Sequence, residues 1–258
     1  MRVGWFMDYA IVTGASQGLG KEIAKLLLSY GVHVIGISRS KVIDLHSVAD
    51  KFKVTFQSVT YDLVDVANLE TLLDTITTKY MENNVTKLYL VNNAAVIEPI
   101  NQGAHISPTS LNYHFQINAV TPMALTNLFL QFANQKDIPL TCLTVTSGAA
   151  EKPTFGWTAY CSSKASVNMY TKTIAKEQDE LNTKHTIVAF SPGVMDTEMQ
   201  AQIRSSEKSA FQAVDTFKAY YETKRLQQAG KIASIATEIM LDNNIENGRI
   251  YYARDYLS

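Results

Sequence analysis

Cysteine is scarce: the 258 residues hold two, Cys142 and Cys161. Two thiols cannot build the multi-bridge framework of a small secreted domain, and nothing near them has zinc-ligand spacing. The expected compartment is therefore reducing, the cytoplasm. Net charge is nearly absent as well, because 23 basic residues face 24 acidic ones. Broad electrostatic binding to nucleic acid or to an anionic membrane needs a basic surplus, so neither partner is expected. No apolar run is long enough to cross a bilayer, and the apolar part of Met1-Arg-Val-Gly-Trp-Phe-Met7 is too short for a signal-peptide core. Residues 1–6 read as an extension ahead of the first strand, with Met7 as an alternative start. The five histidines, at 33, 46, 105, 114 and 185, form no metal-ligand cluster. They are expected as surface or packing residues, and no metal is expected.

Apolar residues are plentiful, at 46%, and their pattern alternates short β-branched runs with longer amphipathic stretches. Runs at 9–13, 32–38, 54–60, 88–91, 140–146, 185–190 and 249–252 read as strands. Stretches at 22–30, 66–81, 111–134 and 158–181 have helical periodicity. Strands alternating with helices predict an α/β chain, a single doubly wound domain over 1–258 with about seven mostly parallel strands and helices on both faces. No repeat or linker divides it. Residues 194–226 lack a clear period, and they are expected to fold as short helices over a substrate site.

The first strand runs into Thr13-Gly-Ala-Ser-Gln-Gly-Leu-Gly20 and then into a helix. Gly14, Gly18 and Gly20 allow a tight turn, close approach of backbone to a phosphate, and close helix–strand packing. Ser16, Gln17 and Leu19 share that loop, and the following helix aims its first N–H groups at the anion. The spacing is Gly-x3-Gly-x-Gly, and its strand-before, helix-after setting favours a nucleotide-phosphate loop over a plain turn.

From here the sequence resembles the short-chain dehydrogenase/reductase family along nearly its whole length. Thr13–Gly20 is similar to that family's cofactor loop, and Asp62-Leu63 to the pair that lines its adenine site. Asn92-Asn93-Ala94-Ala95 resembles its Asn-Asn-Ala-Gly, with Ala95 where glycine is usual. Asn118 stands where the family places a structural and proton-relay Asn. Ser147 precedes Tyr160-Cys-Ser-Ser-Lys164 at the family's spacing. Pro192-Gly193-Val194 ends a strand, and Thr197 follows at the position of a nicotinamide contact. A second Tyr-x3-Lys, Tyr220 and Lys224, lacks this company and reads as a solvated face. The Val96-Ile-Glu-Pro99 segment and the Arg249-Ile-Tyr-Tyr252 ending are similar to the sepiapterin reductase and benzil reductase subgroup.

The resemblance implies a carbonyl reductase with Asn118, Ser147, Tyr160 and Lys164 as its catalytic set. Residues four apart share one helix face, so Tyr160 and Lys164 can meet one ligand. Tyr160 would give a proton to the carbonyl oxygen, Ser147 would polarise it, and Lys164 would hold the nicotinamide ribose and, with the charge of the oxidised nicotinamide, lower the Tyr160 pKa. The second strand ends Ile37-Ser38-Arg39-Ser40 without a carboxylate, and Arg39 with a neighbouring serine suits a 2′-phosphate. NADP(H) is therefore expected, although Gln17 stands where many NADP-dependent members carry a basic residue. Asp196 is expected to cap a following helix, Glu98 and Pro99 to rim the pocket, and Phe155, Trp157, Met195 and Met199 to wall it. Alternatives are a 3-oxoacyl, steroid or sugar substrate, or a non-catalytic NADP-sensing protein. A homodimer or homotetramer is expected by analogy.

Overall fold

The apolar runs become strands of one sheet. In the computed structural model, which describes residues 7–81 and 84–257, these are β1 (Met7–Thr13), β2 (His33–Ser38), β3 (Phe56–Thr60), β4 (Val85–Asn92), β5 (Leu140–Val145), β6 (Thr186–Ser191) and β7 (Ile250–Tyr252). Their order is β3-β2-β1-β4-β5-β6-β7, and every neighbouring pair is parallel. The extension expected at 1–6 lies outside the described residues.

Side chains alternate across a strand, so β1 feeds two cores. Ala10 and Val12 face a layer with Leu27, Phe190 and Ile232. Tyr9 and Ile11 face a second layer with Ile35, Leu125 and Phe129. Covering both faces explains why the strands read as nearly continuous apolar runs. The first layer is built by α1 (Gly18–Ser29), α2 (Leu45–Phe52) and α9 (Ala229–Leu241), with α1 packed on α9. The second is built by α3 (Leu69–Thr75) and α5 (Thr121–Lys136), with α6 (Thr158–Glu180) contributing Ala175.

The helix expected at 111–134 is interrupted. α4 (Pro108–Phe115) and α5 are joined by a π turn over Gln116–Val120, which carries Asn118. Such single-turn bulges often mark functional positions. Ser107 caps α4, accepting from the Ser110 N–H at 3.1 Å. The expected helix over 66–81 is likewise split into a 3-10 turn, α3 and a π turn. α2 and α9 were not expected. α2 has only two turns, and the expected irregular stretch ended just before α9. Yet α9 buries Ile232, Ala233, Ala236, Ile239 and Met240 at helical spacing.

Strand order reverses between β1 and β4, which opens a crevice at their C-terminal ends, the usual ligand position in such sheets. Over that end lie α7 (Glu198–Arg204) and α8 (Val214–Glu222), the short helices expected within 194–226.

Candidate active site

The glycine loop is pinned from below by the turn after β4. Thr13 Oγ1 accepts from the N–H groups of Asn93 at 3.0 Å and Ala94 at 3.1 Å, and Asn93 Nδ2 donates to Thr13 O at 3.0 Å. Gly20 is required here, because any Cβ would collide with Asn93 Nδ2 and with Gly14 O. Gln17 precedes α1 in extended conformation and caps it with no side-chain hydrogen bond. The first-turn N–H groups of α1 are thus left for an anion.

A cavity of about 770 Å³ opens over this loop. Gly14, Ser16, Gln17, Gly18 and Leu19 line one end, with Ser38, Arg39, Asp62, Leu63 and Asn93 beyond them. Ser147, Tyr160 and Lys164 line the middle, facing Pro192, Gly193, Val194 and Thr197. Of the residues expected at the site, Gly20 and Asn118 stand back from the cavity and support it. The described residues therefore fit a dinucleotide laid across the sheet end. Arg39 is exposed and joins no ion pair among the described residues. The Ser38 hydroxyl, at the cavity wall, donates to Ser40 O at 2.6 Å. Asp62 Oδ1 accepts from the Val64 N–H at 3.2 Å, which steadies the turn after β3. Ala95, despite replacing a usual glycine, is not at positive φ, so its methyl brings no backbone strain.

Tyr160 and Lys164 sit one turn apart at the start of α6, with Lys164 Nζ 5.8 Å from the Tyr160 ring centre. Both are buried, at 7% and 3% exposure. Lys164 Nζ donates to Val145 O at 2.8 Å, and burial pulls its pKa down to about 8. Ser147 Oγ accepts from the Ala149 N–H at 3.2 Å, which aims it from the end of β5. Burial pushes the Tyr160 pKa up to about 12, against a smaller lowering by its hydrogen bond with Ser147. The lowering expected from Lys164 together with the oxidised nicotinamide belongs to the cofactor-bound site. Among the protein's own groups, desolvation of the phenolate is the largest influence. The result is a neutral phenol at pH 7, the state that a proton donor to a carbonyl needs.

Asn118 acts behind this pair. Its Oδ1 accepts from the Val96 N–H at 2.8 Å, and its Nδ2 donates to Val96 O at 2.7 Å. This closes the turn after β4 onto the π turn. His114, expected as a surface or packing residue, is wholly buried and lies 3.0 Å from Asn118 Nδ2.

The remaining wall is apolar. Trp157 stacks on Phe211 with ring centres 4.8 Å apart, and Phe217 meets Trp157 edge-on at 5.4 Å. Trp157, Met195, Met199, Ile203 and Phe217 line the cavity. Phe155 does not, being 42% exposed, and neither do Glu98 and Pro99, although Ala94 to Ile97 do. Thr197, not Asp196, caps α7, accepting from the Gln200 N–H at 3.4 Å. Tyr252, hydrogen-bonded to Glu151, and Arg254, stacked 4.6 Å over the Tyr252 ring, also line the cavity. Sequence reasoning missed these three, since they come from remote segments without a motif. Lys224 lies beyond the end of α8 in left-handed conformation, so it does not share a helix turn with Tyr220.

The model of the short chain dehydrogenase family matches residues 8–208. The chain belongs to that family. It is 37% identical to a benzil reductase ((S)-benzoin forming) of Bacillus subtilis (strain 168), over 97% of this chain and 100% of the relative. It is 36% identical to a benzil reductase ((S)-benzoin forming) of Bacillus cereus, over 95% and 98%. A 3-oxoacyl-[acyl-carrier protein] reductase of Brucella melitensis solved with NAD superposes with a TM-score of 0.81 at 18% identity, covering 97% of this chain and 96% of that one, a likeness of fold alone. The chain is an oxidoreductase of ketone and CH–OH groups. No helix among the described residues is long and apolar enough to cross a membrane.

Proposed function

We propose that the protein is an NADPH-dependent reductase that takes one carbonyl of an aromatic diketone, such as benzil, to the hydroxyketone. The observation that carries this reading is a buried Tyr160 that shares one cavity with Ser147, Lys164 and a wall of Trp157, Phe217 and two methionines. Flat aromatic ketones suit that wall, because aromatic and thioether groups pack on ring faces and edges. The benzil reductases of two Bacillus species, similar over almost their full length, support the same substrate class.

The nicotinamide, when bound, supplies the hydride that reaches the carbonyl carbon. The rest falls to side chains. Ser147 and Tyr160 both hydrogen-bond the carbonyl oxygen, where negative charge grows, and Tyr160 Oη passes its proton to it. One hydride and one proton turn the C=O into CH–OH. Lys164, protonated for the most part at pH 7, holds the ribose and favours the phenolate left behind. Burial of Tyr160 and Lys164 keeps competing water out.

The preference for NADPH rests on Arg39, exposed at the adenosine end with no carboxylate partner among the described residues and no acidic residue at the end of β2. A guanidinium pairs with a 2′-phosphate, which a carboxylate there would repel. We also read the protein as cytoplasmic, on two free thiols, and as a homodimer or homotetramer. Support for assembly comes from Leu111, Tyr113, Val120 and Met169, exposed apolar residues on the α4–α5 stretch and α6.

Initial rates with benzil, a 3-oxoacyl thioester, a steroid ketone and a sugar, each with NADPH and NADH, test the reading. Fastest turnover of benzil with NADPH is expected. A preference for another ketone would overturn the substrate class, and tight NADPH binding without any turnover would favour a sensing protein.

A further inference from the structure

His114 has no part in the scheme above, yet it is 0% exposed and every ring nitrogen is engaged. Nδ1 lies 2.6 Å from Glu98 O. A carbonyl oxygen cannot donate, so Nδ1 carries the proton. Nε2 lies 2.9 Å from Ser163 Oγ and 3.0 Å from Asn118 Nδ2. The Asn118 amide cannot be flipped, because Val96 N–H fixes its oxygen and Val96 O fixes its nitrogen. One Nδ2 proton goes to Val96 O, and the second faces His114 Nε2, which must therefore be a bare acceptor. Ser163, itself on the catalytic helix, can turn its one hydroxyl proton to Nε2 or to Tyr160 O, 3.0 Å away, and with Nε2 bare it is Nε2 that accepts it.

We infer that His114, as the neutral Nδ1–H tautomer, is a positioning residue of the reaction: it clamps the Asn118 amide and ties the turn after β4 to the helix that carries Tyr160 and Lys164. The inference rests on the reading of Asn118, Tyr160 and Lys164 as the reacting set. Three elements meet at this ring, and the Glu98 carbonyl and the anchored Asn118 amide together select the Nδ1–H tautomer. A second proton on Nε2 would point N–H at N–H and release Asn118.

The groups around His114 oppose that second proton. Lys164 on α6 is cationic, and Tyr160 on α6 is a neutral phenol with its ring centre 6.2 Å away. Glu98, on the turn, presents its backbone carbonyl, while its carboxylate accepts from the Ile100 N–H at 3.0 Å. Phe115 packs at 6.1 Å from its own helix. Burial, with Lys164 assisting, holds the imidazole below its ordinary value near 6.5 despite the Glu98 contact. Acid should therefore disable the site through Asn118 well below neutrality.

Two variants separate positioning from plain packing. His114→Gln keeps an acceptor near the Nε2 position. His114→Asn keeps a donor near Nδ1 and leaves Asn118 without an acceptor. The expected result is a loss of about tenfold or more in kcat for His114→Asn, with KM nearly unchanged and most of the rate restored in His114→Gln, as for one lost buried hydrogen bond. The acid limb of the kcat profile should move in both variants. Long-range proton–nitrogen NMR on the wild-type protein should report a neutral Nδ1–H ring at pH 7. An Nε2–H or charged ring, or equal losses of kcat in both variants, would overturn the inference. Should the wild-type protein reduce no ketone, the functional reading fails, and the tautomer alone decides the role of His114.

Discussion

At the residue scale, burial does opposite things to the two groups of the Tyr160–Lys164 pair, and both effects serve reduction. It keeps the phenol protonated and leaves the ammonium easily discharged, at about 12 and about 8. A lysine with a depressed folded value holds fewer protons folded than unfolded between about pH 8 and its ordinary 10.5, so folding stability should rise with pH across that window. Above pH 10 the raised Tyr160 value acts the other way, since the folded phenol keeps a proton that the unfolded one has lost. Urea unfolding of the cofactor-free protein should show a gain on the order of 2 kcal/mol as pH climbs from about 8 to 10, at one pKa unit per about 1.4 kcal/mol. Lys164→Met should be more stable at pH 7 and should lack that gain, and an unchanged slope in the variant would refute the assignment. Arg39→Ala should raise KM for NADPH by roughly tenfold or more while leaving NADH alone, as expected for one charge-assisted contact to a phosphate. Equal changes for both cofactors would remove Arg39 from the 2′-phosphate site.

At the element scale, the site depends on where helices are interrupted and where backbones touch. The π turn over Gln116–Val120 turns Asn118 toward Val96, and no periodicity count from sequence marks it, because apolar spacing runs through the bulge unbroken. Gly156 is a second such point. It sits at φ +87°, and a Cβ there would collide with Ala210 O in the segment between α7 and α8. Gly156→Ala should shift that segment and with it Phe211 and Phe217. KM for benzil should rise several-fold, with NADPH affinity, read by fluorescence titration, unchanged. Loss of NADPH binding as well would mean that the two halves of the cavity are less independent than this packing implies. Phe211 is 0% exposed and stacks on Trp157, so Phe211→Ala should cost about 3–5 kcal/mol in chemical unfolding.

At the scale of the whole molecule, the seven strands and their parallel order follow from patterns legible in the chain, because two covered sheet faces demand apolar runs of recognisable length. The loop glycines, Ser147, Tyr160 and Lys164 were legible for another reason: turn chemistry and helix spacing constrain them locally. Tyr252, Glu151 and Arg254 were not, since their place at the cavity depends on how β7 docks beside β6. His114 was not, because its three partners come from distant parts of the chain or one helix turn away. Light scattering should give a dimer or tetramer mass, and Met169→Asp, on the exposed apolar part of α6, should reduce it. A monomeric wild-type protein would contradict that expectation.

The central claim is that Tyr160 donates the proton in carbonyl reduction. The most direct test is the initial rate of NADPH oxidation with benzil by the wild-type protein and by Tyr160→Phe, with NADPH affinity measured for both. A loss on the order of 10²-fold or more, at unchanged affinity, is the predicted result for removing the general acid. A Tyr160→Phe protein that reduces benzil at close to the wild-type rate would contradict the account.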